Sequence, residues 1–118
     1  MRMYTLVILR KGPRWAPRSP EVKALLEGHM ANIRRLGAAG KLLIAGPTDG
    51  GEGAPDDTPV GIFIFDTASI QEATELAATD PTVAAGHFAA QVLEWYGPQG
   101  LTYDGQAEEL AKLRAGEK

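Results

Sequence analysis

Two residues in this chain have the types needed to move a proton together, His29 and Asp80. An imidazole serves as general base or acid near neutral pH. A carboxylate on one ring nitrogen fixes the tautomer and raises the basicity of the other nitrogen. His29 is one of only two histidines in 118 residues. Around it Val22, Leu25, Leu26, Ile33 and Leu36 recur at helical steps of three and four, which makes one apolar stripe. Lys23, Glu27, Met30 and Arg34 form a largely polar face, so His29 is expected to point inward with the leucines. Position alone leaves two readings open, a proton-transfer group at the floor of a pocket and a core histidine satisfied by a carbonyl. Asp80 precedes Pro81, where an N-cap for a short turn is the local explanation.

The elements around these residues decide whether they can meet. Met3 to Arg10 reads as a strand buried on both faces. Lys11 to Pro20 is a proline-rich loop, and Pro20 to Ala39 a helix capped by Ser19 and stopped by Gly40. Lys41 to Ala45 is a second strand, ended by Gly46 and Pro47. Thr48 to Pro59 is a polar, glycine-rich and mobile loop, and Val60 to Asp66 a third strand. Ser69 to Glu72 matches a capping box that opens a second helix through Ala78. Pro81 to Ala85 allows one short turn, His87 to Tyr96 a fourth strand, and Gln106 to Ala115 a short exposed helix.

The order β-α-β-β-α-β is the split pattern of the ferredoxin-like α+β fold, an antiparallel sheet with two helices on one face. Both helices then share a face, which gives Asp80 a route to His29. Residues 1–104 are expected to form this domain and 105–118 a helical tail. In the third strand Ile62 and Ile64 lie on one side, Phe63 and Phe65 on the other. The helix-free sheet face therefore needs a cover, and a second copy of the chain is the simplest, giving a homodimer joined sheet to sheet.

Composition excludes several function classes. The formal net charge of −3 argues against a general nucleic-acid binder. No segment approaches a membrane span, and Met3 to Leu9 is too short for a signal-peptide core. The absence of cysteine removes disulfides, thiol catalysis and thiolate metal sites, and fits a cytoplasmic location. Two histidines far apart give no zinc spacing, the Asp49 to Asp57 loop lacks phosphate-loop and calcium-loop patterns, and no dinucleotide fingerprint follows a strand. The expectation is no metal, no cofactor, no nucleic-acid partner and no membrane, with a small-molecule substrate. Gly46 and Pro47 are candidates to shape its pocket. Phe88 and Trp95 are candidate apolar walls, with core packing the alternative for Phe88. His87 reads as a second titrating group or, more simply, a strand-end residue. The basic stretch with Lys11, Arg14, Trp15 and Arg18, and Arg10 before it, reads as a solvated loop that could otherwise hold an anionic or aromatic substrate.

Four pieces together resemble the YciI-like (YCII-related) family: His29 in the first helix, Gly40-Lys41-Leu42-Leu43-Ile44-Ala45-Gly46-Pro47, the Gly61 to Phe65 strand, and Asp80-Pro81-Thr82-Val83-Ala84-Ala85-Gly86. The resemblance covers Met3 to Tyr96. It implies a ferredoxin-like fold, a dimer closing a barrel-like core, and a histidine/aspartate centre that maps onto His29 and Asp80. It also implies lyase, dehalogenase or isomerase-like chemistry on hydroxylated aromatic compounds, without a cofactor. The long loop at Thr48 to Pro59, the basic loop at Lys11 to Arg18 and the C-terminal helix depart from the shorter members and leave the substrate open. Two alternatives stand beside the enzyme, a non-catalytic small-molecule-binding or accessory domain and a haem- or oxygen-dependent enzyme of the same dimeric architecture.

Overall fold

The computed structural model describes residues 1–116. Strands β1 (Arg2–Lys11), β2 (Leu42–Pro47), β3 (Gly61–Phe65) and β4 (Phe88–Gly97) alternate with helices α1 (Pro20–Ala38), α2 (Ile70–Ala78) and the short α3 (Pro81–Ala84); α4 (Gln106–Gly116) follows. The sheet runs β2-β3-β1-β4, antiparallel throughout, as the β-α-β-β-α-β order requires.

Cross-strand pairing sorts the side chains onto two faces. Val7 lies opposite Phe63 and Val92, and Thr5 opposite Phe65. These residues face α1 and α2, where Val7, Leu9, Phe63 and Phe65 make the core with Leu36, Leu42, Ala73 and Ala77. Small alanines on α2 let that helix lie close to the sheet, while the larger residues come from the strands. On the other face Leu6 pairs with Ile64 and Leu93, and Ile8 with Ile62. No helix among the described residues covers these apolar side chains, and Leu93 is 37 % exposed.

Local chemistry sets the element ends. Ser19 accepts from the Val22 amide and Ser69 from the Glu72 amide, each cap contributing about 1 kcal/mol. Gly40 turns the chain out of α1 at φ 78°. The strands run one or two residues beyond the ends expected from sequence at Arg2, Lys11, Pro47 and Gly97, because ladder pairing continues through them. The C-terminal helix, largely exposed, packs against α1, and Gln106 donates to the Leu43 carbonyl of β2 at 3.3 Å.

The 48–59 loop, expected to be mobile, is tied to β1. The Val60 amide donates to the Leu9 carbonyl at 2.7 Å, and Lys11 Nζ donates to the Ala54 carbonyl at 2.9 Å. The Lys11 side chain is only 8 % exposed, so it clamps the 48–59 loop to β1 instead of standing in solvent.

Candidate active site

His29 and Asp80 meet. Asp80 caps α3 with one oxygen: Oδ1 accepts from the Thr82 amide at 2.9 Å and from the Thr82 hydroxyl at 2.7 Å. Its other oxygen, Oδ2, is hydrogen-bonded to His29 Nδ1. The cap and the dyad are therefore not competing accounts of Asp80, since each uses a different oxygen. Asp80 is fully buried. Burial opposes its ionisation, but the hydrogen bonds from His29 and Thr82 outweigh that, so its carboxyl titrates below the usual carboxylate range. An ionised carboxylate only accepts, so in a neutral ring the proton sits on Nδ1. Nε2 is then left bare.

Two features bring α1 and α3 together. Proline at the first position of α3 fixes the turn that presents Asp80. Gly28, next to the histidine, gives the helix a bare patch there. A Cβ on Gly28 would lie 2.9 Å from Pro81 Cγ. Gly28→Ala gains up to about 1 kcal/mol in helix propensity but must push α3 away from α1. We expect roughly a tenfold fall in kcat with an unchanged circular dichroism spectrum, because sub-ångström misplacement of a reacting group is costly. An unchanged kcat would show that the close approach is not needed.

The His29 ring lines a cavity of about 390 Å³ between α1 and the sheet. Phe63 lies near-parallel to the ring at 5.9 Å, and Phe88 meets its edge at 5.8 Å and 81°. Leu26, Met30 and Ile33 of α1 form one wall, and Leu9, Ala45 and Val60 the other. The lining is apolar apart from the imidazole and the backbone. Such a pocket suits a flat, largely hydrophobic molecule and strengthens any hydrogen bond to Nε2.

The sequence-derived lining residues divide. Gly46, Pro47 and Phe88 border the cavity. Trp95 does not. It pairs with Tyr4 on the opposite face of the sheet, with the rings 5.8 Å apart, because its register places it two residues from Leu93 on the helix-free side. Phe63 and Thr82 were not singled out from sequence. The alternation that puts Phe63 on the helix face was visible, but its stacking on His29 was not. Thr82 could have been found as a hydroxyl two residues after a capping aspartate.

His87 is buried at 4 % exposure, and its Nδ1 has no hydrogen-bond partner among the described residues. Its ring stacks on Trp15 with centroids 6.0 Å apart and planes at 16°. Burial and, secondarily, the charge of a protonated His29 hold His87 below the ordinary imidazole range. It is therefore a buried, unsatisfied ring directly before β4.

A ferredoxin-like α+β domain carrying a hydrogen-bonded His/Asp pair beside an apolar helix–sheet cavity defines the class. Within that class the chain belongs to the YCII-related family, whose domain model matches residues 3–96. Among solved structures it is similar to 5-chloro-2-hydroxyhydroquinone dehydrochlorinase (TftG) from Burkholderia phenoliruptrix AC1100, in complex with 2,5-dihydroxybenzoquinone. The two share 27 % identity over 80 % of this chain and 96 % of that one, with a TM-score of 0.50. A comparison with curated protein sequences finds no match. No helix among the described residues is long and apolar enough to cross a membrane.

Proposed function

We propose that this chain is a cofactor-independent enzyme that uses His29 and Asp80 to transfer a proton on a small hydroxylated aromatic molecule. The observation that carries the reading is the His29–Asp80 hydrogen bond at the edge of an apolar cavity. Asp80 holds the proton on Nδ1 and stabilises the imidazolium that forms. Nε2 takes a proton from the substrate, and Phe63 and Phe88 hold a flat ring against the imidazole. The dehydrochlorinase neighbour supports elimination as the reaction type. In that reaction a chlorinated hydroquinone first tautomerises, one hydroxyl proton moving to the carbon that bears chlorine. Nε2 then takes the other hydroxyl proton, its O–H pair forms the second carbonyl, the ring double bond shifts, and chloride departs with its bonding pair. The net loss is HCl, and no external oxidant is needed. The experiment is to incubate the purified protein with 5-chloro-2-hydroxyhydroquinone and related halogenated hydroxyaromatics, following chloride release. Acceleration that requires His29 supports the reading. No acceleration over the buffer rate across the series contradicts it and leaves a non-catalytic binding domain as the account.

A homodimer belongs to the same reading. Leu6, Ile8, Ile62, Ile64 and Leu93 form an apolar sheet face without a helix over it. Face-to-face pairing of two such sheets buries it. Sedimentation equilibrium at micromolar concentration is expected to give twice the chain mass, and Ile62→Glu to give the monomer. A monomeric mass for the wild type would refute the dimer.

A further inference from the structure

The His29 cavity does not end at Phe88. A second cavity, of about 450 Å³, shares Leu26, Pro47, Val60 and Phe88 with it and continues past them to Trp15, Arg18 and His87. The two compartments thus meet along one wall and differ in chemistry. The first is apolar around one imidazole. The second carries a guanidinium and the buried His87 ring.

The second compartment is built by close packing of the loop after β1 onto the start of β4. The Gly12 amide donates to the His87 carbonyl at 2.8 Å, and the Arg14 amide to the Gly86 carbonyl at 2.9 Å. A Cβ on Gly12 would lie 2.2 Å from the Gly86 carbonyl oxygen, so only glycine allows the loop to lie this close. That contact holds Trp15 against His87, and the Lys11 ammonium sits 4.4 Å from the centre of the indole. His87 Nδ1 is buried without a partner among the described residues, at a cost of roughly 1–3 kcal/mol, and a ligand oxygen that reached it would relieve that cost. Arg18 makes no ion pair with a described residue. Glu52 lies on the same wall. One guanidinium opposed by one carboxylate suits a singly charged carboxylate better than a doubly charged phosphate.

We infer that Trp15, Arg18 and His87 form a subsite for a carboxylate substituent on the aromatic substrate, with its ring in the His29 cavity against Phe88. The inference rests on the aromatic-substrate reading above. Arg18 supplies the charge, His87 Nδ1 a directional hydrogen bond, and Trp15 keeps the His87 ring in place. The chain therefore selects hydroxybenzoates over simple hydroquinones.

The test is calorimetric binding of 2,5-dihydroxybenzoate and of hydroquinone, which is the same ring without the carboxylate. Wild type is expected to bind the benzoate at least about tenfold more tightly, the scale of one charge-assisted contact. Arg18→Gln and His87→Leu should each abolish that preference, read as the ratio of the two affinities in the same variant. His87→Asn, whose amide reaches the position of Nδ1, should keep most of it, and this guards against His87→Leu simply failing to fold. Equal affinity for the two ligands in wild type, or a preference that survives both losses, overturns the subsite and leaves the aromatic reading intact. Failure of both ligands to bind overturns the subsite and the aromatic reading together.

Discussion

Replacing His29 by asparagine is expected to lower kcat/KM by about 10²–10⁴-fold, the contribution of a positioned general base. Asparagine is the informative choice because its amide reaches the position of Nδ1. It can still donate to Asp80 Oδ2, so the buried carboxylate keeps a partner while Nε2 is lost. His29→Ala should lose the same activity and also destabilise the fold by roughly 3–5 kcal/mol, because it strands a fully buried carboxylate. Steady-state kinetics and urea midpoints on the two variants separate chemistry from stability. Asparagine retaining wild-type turnover would remove His29 from the mechanism.

Asp80→Asn is expected to be nearly as damaging, by about 10²–10⁴-fold in kcat, for a different reason. The asparagine carbonyl can still accept from the Thr82 amide and hydroxyl, so the α3 cap survives. Its amide now faces His29 Nδ1 and donates to it. The ring proton moves to Nε2, which can no longer accept a proton from the substrate. The stability cost depends on pH, with a sign set by the depressed carboxyl of Asp80. A group whose folded value lies below its unfolded value of about 3.9 contributes its full stabilisation above that pH. The contribution is lost as pH falls through the folded value. The wild type's advantage over Asp80→Asn in urea midpoint should therefore hold at neutral pH and shrink in acid. A gap that does not shrink below about pH 3.9 would contradict the ionised, hydrogen-bonded state of Asp80.

Much of this site was legible before the fold was. The helical stripe of Val22, Ile33 and Leu36 placed His29 inward, and the β-α-β-β-α-β order placed both helices on one face. Together they gave Asp80 its route. What one-dimensional spacing could not carry was distance. Gly28 looks like a helix-weakening residue in the sequence, and only its approach to Pro81 shows why a side chain is unwelcome there. The role of His87 was hidden in the same way. It is a strand-end residue by pattern, and its burial comes from a loop far away in sequence folding onto it. Trp95 failed as a wall because a strand sends alternate residues to opposite faces, and its register with Tyr4 fixes the face away from the cavity. The solvated reading of the basic loop holds for Arg14 and Arg18, but charge patterns say nothing about clamps. Lys11 closes over the carbonyl of Ala54, and only Arg14 and Arg18 of the cations in that loop remain exposed.

The central claim is that Asp80 fixes the His29 ring with its proton on Nδ1 and Nε2 bare. Nitrogen-15 NMR of the labelled imidazole at a pH where the ring is neutral reads the tautomer directly. The account predicts an Nδ1–H ring in the wild type, with a strongly downfield proton, and an Nε2–H ring in Asp80→Asn. An Nε2–H ring in the wild type, or the same tautomer in both proteins, would contradict it.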